Sequence, residues 1–199
     1  MMKKYSLIFI LFLICSCHEY KSKEGVFQEI LIPKIYTLKS SAAVNLKNDI
    51  VFLHDKKYSG FLYELALNTK DTISIEGYHQ GLLQGISKKW YPNKQLLEAR
   101  FYNQGEKHGK QISYWEDGKT RFEFTAENDL YEGELKEYNA EGKLFHLATY
   151  KNGQEEGTQK MWYDNGKTRA NYVIINGKRY GLLGTKNCKN VSDSIFVVK

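Results

Sequence analysis

The sequence lacks any apolar run long enough to cross a bilayer as a helix. Tyr5 to Ile14 (YSLIFILFLI) is ten residues, about half of the roughly 20 that ~30 Å of hydrocarbon requires. Three cysteines in 199 residues do not make a disulfide framework. Charge of one sign never accumulates: bases and acids alternate along the chain with no run of five or six, which gives a solvated mixed surface and argues against a nucleic-acid groove. Catalytic signatures are missing as well. There is no H-E-x-x-H, C-x-x-C, G-x-S-x-G, Walker loop or dinucleotide fingerprint. The five histidines, His18, His54, His79, His108 and His146, share no spacing, so no metal set is expected. Acid pairs such as Glu155-Glu156 fall at strand ends, where solvated charge is the ordinary state. The expectation is a protein that is not an enzyme, with no cofactor.

What the chain does have begins with two lysines, Lys3 and Lys4, ahead of the apolar run. A short basic start followed by about ten apolar residues reads as an export signal, to be set aside in fold reasoning. Ile14-Cys15-Ser16-Cys17 then resembles the lipobox of bacterial lipoproteins, with a cysteine where Ala or Ser is commoner. That resemblance implies cleavage before Cys17 and acylation of Cys17, with more than one acyl chain giving stable anchoring. Residues 1–16 are thus expected to be a signal peptide. The protein is expected to be lipid-anchored in the bacterial cell envelope, which means the outer membrane if the cell is Gram-negative. Processing leaves 27 bases against 23 acids, a net +4. With Cys17 acylated, Cys188 is a lone thiol, expected to pack as a small hydrophobe.

The remaining chain is periodic. Gly85, Gly109, Gly133, Gly157 and Gly181 stand 24 residues apart. With glycine near 7% of average sequence, four successive hits have odds of roughly 10⁻⁴ to 10⁻⁵. Other columns keep step: Trp90, Tyr114, Tyr138 and Trp162; Lys94, Gly118, Gly142 and Gly166; Gly105, Asp129, Gly153 and Gly177. Gly60 begins a worn copy 25 residues before Gly85. Within a unit, as in Gly157 to Gly177, a strand ends on an aromatic pair, Asp164-Asn165-Gly166-Lys167 turns the chain, a second strand follows, and Asn176-Gly177 turns it again. Pro92-Asn93-Lys94 replaces the glycine in one unit and predicts a different turn there. The expected fold is all-β: an elongated, twisted single-layer antiparallel β-meander of ten to twelve strands, built from ~24-residue β-hairpin repeats. Residues 17–48 read as a tether with a possible strand over Glu29 to Leu38 broken at Pro33, residues 49–184 as the repeat domain of about five units, and 185–199 as a C-terminal cap.

The recurring pattern of glycine, aromatic pair, Asn/Asp-Gly-Lys and a later Tyr-x-Asn-Gly resembles the bacterial variant of MORN repeats over residues 55–184. Proteins of that kind are labelled YwqK-type antitoxins of toxin–antitoxin systems. The resemblance implies hairpin units laid side by side, which bind or organise partners and carry no catalytic residues.

Equivalent residues in successive hairpins lie two strands apart, about 9.6 Å at ~4.8 Å per strand. Trp90, Tyr114, Tyr138 and Trp162 are expected to form a packing column on one face, opposite the residues seven later, Leu97, Arg121, Phe145 and Arg169. Tyr114–Arg121 and Trp162–Arg169 are then candidate cation–π pairs. Strand alternation puts Tyr91, Trp115 and Tyr163 on the other face, with Asn139 breaking the series. That face also carries Tyr102, Phe124, Tyr150 and Tyr172, and is the better candidate for exposure. Tyr91, Trp115, Tyr163, Tyr102, Tyr150 and Tyr172 are therefore the candidate binding residues, since Tyr and Trp are enriched at contact hot spots.

The functional expectation is a membrane-anchored repeat scaffold whose partner is a protein or an envelope glycan, not nucleic acid. The alternative is an antitoxin or immunity protein, whose partner would be an envelope-acting toxin. Anchoring has a direct check. Cys17→Ala is expected to abolish metabolic lipid labelling and move the protein from the membrane to the soluble fraction; labelling that persists would disprove acylation of Cys17.

Overall fold

A computed structural model describes residues 30–184. The expected signal peptide, Cys17, Cys188 and the expected cap at 185–199 lie outside the described residues. Those described form strands and no helix. The first seven strands are β1 (Tyr36–Leu38), β2 (Val44–Lys47), β3 (Ile50–Leu53), β4 (Lys56–Lys57), β5 (Gly60–Leu65), β6 (Thr72–His79) and β7 (Leu82–Leu83). Then come β8 (Gly85–Trp90), β9 (Leu96–Asn103), the short β10 (Glu106–Lys107), β11 (Gly109–Tyr114), β12 (Thr120–Glu127), β13 (Leu130–Tyr138), β14 (Leu144–Lys151), β15 (Gln154–Trp162), β16 (Thr168–Ile175) and β17 (Lys178–Leu182).

From β5 to β17 the chain runs as one open antiparallel meander. β1 joins its edge in parallel with β5, and the short β7 and β10 complete a 14-stranded sheet. β2, β3 and β4 make a separate small antiparallel sheet. The expected all-β meander is the observed fold. Its body starts earlier than residue 49, because β1 and β2 already pair with β5 and β3. Within the stretch read as a tether, the strands among the described residues are Tyr36–Leu38, beyond Pro33, and Val44–Lys47.

Each repeat closes with two different turns. In the first, Gly118 N donates to Trp115 O and Trp115 N to Lys119 O, with Gly118 at φ 86°. This is a three-residue loop, a type I turn followed by one left-handed residue. The same two bonds recur at Asn139–Lys143 and at Tyr163–Lys167. They also recur at Tyr91–Gln95, where Lys94 takes the glycine's place at φ 68°. The different turn expected there does not occur. Pro92 presets the first turn position, and Asn93 Oδ1 accepts from Gln95 N at 2.9 Å. The second turn has two residues, both at positive φ, as in Asn152-Gly153 and Asn176-Gly177, the type I′ geometry that matches strand twist.

The three-residue loop also corrects the expected pairing. The body of each hairpin has the expected register, Met161 opposite Ala170, but the register shifts by one before the aromatic, so that Trp162 faces Thr168. Trp90, Tyr114 and Tyr138 likewise face Leu96, Thr120 and Leu144. Leu97, Arg121, Phe145 and Arg169 are the skipped residues. Freed from the ladder, Arg121 lies over Trp115, 4.9 Å from the ring centroid, and not over Tyr114. The Trp162–Arg169 pair is not among the cation–π contacts of the described residues.

The repeat glycines mark a break in the other strand interface. Gly109 sits at φ 69°, and five steps along the chain from Lys107 to Ile112 span three on β9, Tyr102 to Ala99. The bulge frees carbonyls, and a buried amide takes them up. Gln111 Nε2 donates to Phe101 O at 2.8 Å and approaches His108 O at 3.2 Å. Gln159, two residues after Gly157, donates to Thr149 O at 2.9 Å. The glycine-x-glutamine spacing thus plugs its own bulge.

Residues paired across the ladder share a face. Glu98, Arg100 and Tyr102 therefore lie with Gln111, Phe124, Leu135, Ala148, Gln159, Ala170 and Tyr172. This face holds the buried positions of the array, among them Gln111, Leu135, Ala148, Gln159 and Ala170. The expectation had been the reverse, with the Trp90 column packed and this face exposed. Small residues explain the difference. Ala126, Ala148 and Ala170 let neighbouring rings lie down against the sheet, whereas the opposite face raises ion pairs such as Lys110–Glu123 and Lys136–Glu134, each 2.9 Å.

The apolar core is small and lies at the N-terminal end, where Val51, Tyr58, Leu62 and Tyr78 pack together against Val44, Leu53 and Leu83. The Gln80-Gly81 turn ties the two sheets: Gly81 N donates to Tyr58 O at 2.6 Å, and Val51 N to Gly81 O at 2.9 Å. A Cβ at Gly81 would strike an Ile50 methyl and lie 2.8 Å from Val51 O, while one at Gly166 meets nothing within 4 Å. Both have positive φ, 83° and 78°. Gly166→Ala is therefore expected to cost about 1 kcal/mol of backbone strain. Gly81→Ala adds a clash with backbone and is expected to cost on the order of 3 kcal/mol. Equilibrium urea denaturation of the two variants measures the contrast, and equal losses would refute it.

Candidate functional site

The buried face carries a continuous stripe that changes character along the array. At its N-terminal end it is polar. Lys39 Nζ meets Glu76 at 3.0 Å, Tyr78 OH donates to Glu76 Oε2 at 2.9 Å, and Ser74 Oγ donates to Glu64 Oε2 at 2.8 Å. One strand further, Lys89 Nζ and Arg100 reach the two oxygens of Glu98 at 3.0 and 3.1 Å. Arg100 then spans the boundary. Its guanidinium lies 4.9 Å from the Phe122 ring centroid and 5.9 Å from that of Phe124, a favourable placement of cation on π-face.

Beyond Arg100 the stripe is aromatic. Phe122 stacks on Phe124 at 6.0 Å, Phe124 meets Tyr131 at 4.6 Å, and Tyr131 meets Tyr150 at 5.0 Å. Further on, Arg179 lies over Tyr172 at 5.6 Å. A concavity of about 400 Å³ opens beside the rings, lined by Arg100, Lys107, Phe122, Phe124, Tyr131 and Glu137 among others. Glu137 Oε2 is 2.7 Å from His146 Nδ1. Tyr131 is 38% exposed, so the spine presents a ring edge to solvent at its centre.

Burial and pairing shift several groups on this face. Burial pushes the Tyr78 phenol up, helped by the neighbouring Glu76 carboxylate. Burial raises Tyr102 and Tyr150 too. The hydrogen bond to Glu98 raises Lys89. For Glu98, burial alone would raise the carboxyl, but the Lys89 hydrogen bond and the Arg100 charge together outweigh it and hold it below the usual carboxylate value. Every shift moves its group away from neutral pH, the reverse of what a general acid or base needs. Among the described residues no group of three or more His, Cys, Asp or Glu could hold a metal.

The six residues singled out in the sequence fall into two places. Tyr102, Tyr150 and Tyr172 lie half-buried on the striped face. Tyr91, Trp115 and Tyr163 sit instead at the mouths of the three-residue turns, along the line of hairpin tips. Tyr91 OH donates to Tyr114 O at 3.0 Å and Trp115 Nε1 to Tyr138 O at 3.1 Å. Each ring reaches 23 residues forward and brackets its hairpin to the next. Tyr163 has no further repeat tip ahead of it among the described residues and is 44% exposed.

Arg100, Phe122 and Tyr131 were not singled out in the sequence. Phe122 shares a column with Glu98, His146 and Ala170, and Arg100 with Phe124, Ala148 and Tyr172. Neither column repeats a residue type, and repetition was the signal being read.

The comparisons place this geometry. Residues 83–104, 107–128, 131–152 and 155–171 match the model of the MORN repeat variant. Over those four stretches the chain is similar to that repeat. The matched units correspond to the run from β7 into β16, the regular part of the meander. No curated protein matches. Among solved structures, two of TarM align at 18% and 17% identity, each with a TM-score of 0.32. One is an S. aureus TarM mutant in complex with fondaparinux, α-GlcNAc-glycerol and UDP. Each alignment covers 55% of this chain and 21% of the TarM chain. The chain thus spans about a fifth of the length of those structures, and so slight a likeness supports no conclusion about it. What the MORN-type units make of this chain is a repeat scaffold.

Glu98 offers a test of the stripe's polar half. Glu98→Gln leaves Lys89 and Arg100 without their carboxylate, and is expected to lower stability by about 1–2 kcal/mol at neutral pH, less than for a fully buried pair because the site is partly solvated. The folded-state value of Glu98 is depressed, so its contribution is complete above the unfolded-state value and is lost as pH falls through the folded one. Urea midpoints of wild type and variant therefore converge in acid, below the usual carboxylate range. A gap that persists there would rule out the ion pair as its source.

Proposed function

We propose that this protein is a non-enzymatic scaffold, held at the bacterial cell envelope by lipid on Cys17, that binds a partner protein along its striped face. The observation that carries the reading is the spine from Arg100 through Phe122, Phe124 and Tyr131 to Tyr150. Aromatics and arginine are the residue types that dominate contact energetics, and here they form one connected surface beside a concavity. The lipobox-like Ile14-Cys15-Ser16-Cys17 supports the location. The MORN-type units support a scaffold, since each presents the same two faces at regular spacing. A saccharide is the other ligand class that stacks on such rings. In the antitoxin version of this reading, the partner is a toxin acting in the envelope.

A photo-crosslinking residue placed at Tyr131, in the anchored protein in its own cells, tests the face directly. The same residue at Thr125, on the opposite face, is the control. The expected result is a discrete protein adduct from position 131 and none from 125. Adducts from both positions alike, or from neither, would overturn the proposed face.

A further inference from the structure

Between the first and second full hairpins the gap at the tips is filled by Tyr91, and between the second and third by Trp115. In each case a ring carrying a single O–H or N–H donor lies across the gap and bonds the carbonyl of the next strand's last aromatic, Tyr114 O or Tyr138 O. Between the third and fourth hairpins the same position is Asn139. Its side chain is too short to cross, and its Oδ1 turns back to accept from Lys143 N at 2.9 Å. Trp162 O, the counterpart of Tyr114 O and Tyr138 O, has no such bracket among the described residues.

The gap is open where the filler is missing. A concavity of about 260 Å³ lies between the two tips, lined by Asn139, Phe145, Trp162, Tyr163 and Asp164 among others. It adjoins a second of about 480 Å³, which shares Asn139, Phe145 and Asp164 and extends to Trp115 and Arg121. Either volume is many times the ~30 Å³ share of one water. Phe145, skipped by the ladder, is exposed beside it. The walls are thus aromatic, the floor holds an unbracketed carbonyl, and Asp164 and Arg121 stand at the rim.

We infer that this gap is a docking pocket for a tryptophan or tyrosine side chain of the bound protein, which inserts between the third and fourth hairpin tips and donates its ring N–H or O–H to Trp162 O. The occupant is specified by the molecule's own pattern. The two preceding gaps are crossed by one phenol and one indole, each making that bond, and the third lacks such a ring. The inference rests on the reading of this chain as a protein-binding scaffold. The gap lies at the hairpin tips and adjoins the striped face through Phe122 and Glu137; crosslinking from position 131 reads the face and the indole titration reads the tips, so the two can fail separately.

The test uses the purified protein with its three indole N–H resonances resolved by NMR. The probes are N-acetyltryptophanamide, N-acetyltyrosinamide and chitobiose. The expected result is a saturable shift of the Trp162 and Trp115 resonances with either amide, at millimolar concentration, while Trp90 stays still. Asn139→Trp supplies the missing ring in cis. It is expected to abolish the response and to raise the melting temperature by about 2–4 °C, the shift that corresponds to roughly 1 kcal/mol in a domain of this size. Asn139→Ala keeps the gap open and retains binding, whereas Phe145→Ala removes a wall and weakens it at least threefold. If Asn139→Trp does not fold, the wild-type titration and Phe145→Ala still decide. No saturable shift, equal shifts at Trp90, undiminished binding by folded Asn139→Trp, or a response to chitobiose alone would each overturn the assignment.

Discussion

The array depends on the positive-φ positions that close its hairpins. Each repeat needs one left-handed residue in the three-residue loop, two in the two-residue loop, and one at the bulge glycine. Most side chains resist that conformation, so the turns restrict sequence more tightly than the strands do. They also set the register. Because side chains alternate with a period of two, a slip of one residue would exchange the faces of a whole strand. The stripe from Glu98 to Tyr150 exists as one surface because every turn delivers the next strand in the same phase.

A single-layer sheet has no second layer to bury its apolar side chains, and this one meets the difficulty in three ways. Rings lie down over Ala126, Ala148 and Ala170 on one face. Buried amides at Gln111 and Gln159 stitch the bulges that the repeat glycines open. Tyr91 and Trp115 bracket neighbouring hairpins at their tips. Each device links a unit to its neighbour, so stability accrues along the array, as in other quasi-one-dimensional folds. The N-terminal end differs in kind: Val51 of the small second sheet packs with Tyr58, Leu62 and Tyr78, and Gly81 fastens the join. That end supplies the one apolar cluster that a globular domain would recognise as a core.

The period, the hairpins, the turn columns and the face shared by Tyr102, Phe124, Tyr150 and Tyr172 were legible in the sequence, because glycine, asparagine and strand alternation leave local marks. Three things were not. The skipped residue before each turn shifts the partner of Trp162 from Arg169 to Thr168, and a shift of one residue leaves no compositional trace. Lys94 adopts the same left-handed position as Gly118, its turn supported by Pro92 and by a hydrogen bond from Gln95 N to the Asn93 side chain that only the folded geometry reveals. Which face is the better buried was also misjudged, since that depends on small residues scattered among large ones across four strands. The bracketing role of Tyr91 and Trp115 spans 23 residues and joins two hairpins, beyond the reach of any local pattern.

Where a unit departs from its neighbours, the departure has a direction. Residues that follow the pattern are engaged by their neighbours: Tyr91 and Trp115 by the carbonyls of Tyr114 and Tyr138, Gln111 and Gln159 by the bulges. A position that breaks the pattern gives up such a contact, and the loss is not made good at Asn139, where a tip gap stays open and a carbonyl stays unbracketed. Arg100 is the complementary case. It stands in the column of Phe124 and Tyr172, yet it joins the ion pairs of Glu98 to the rings of Phe122 and Phe124 and so connects the polar and aromatic halves of the stripe. In an array whose regular residues repeat the same contacts, such irregular positions are where the surface changes character.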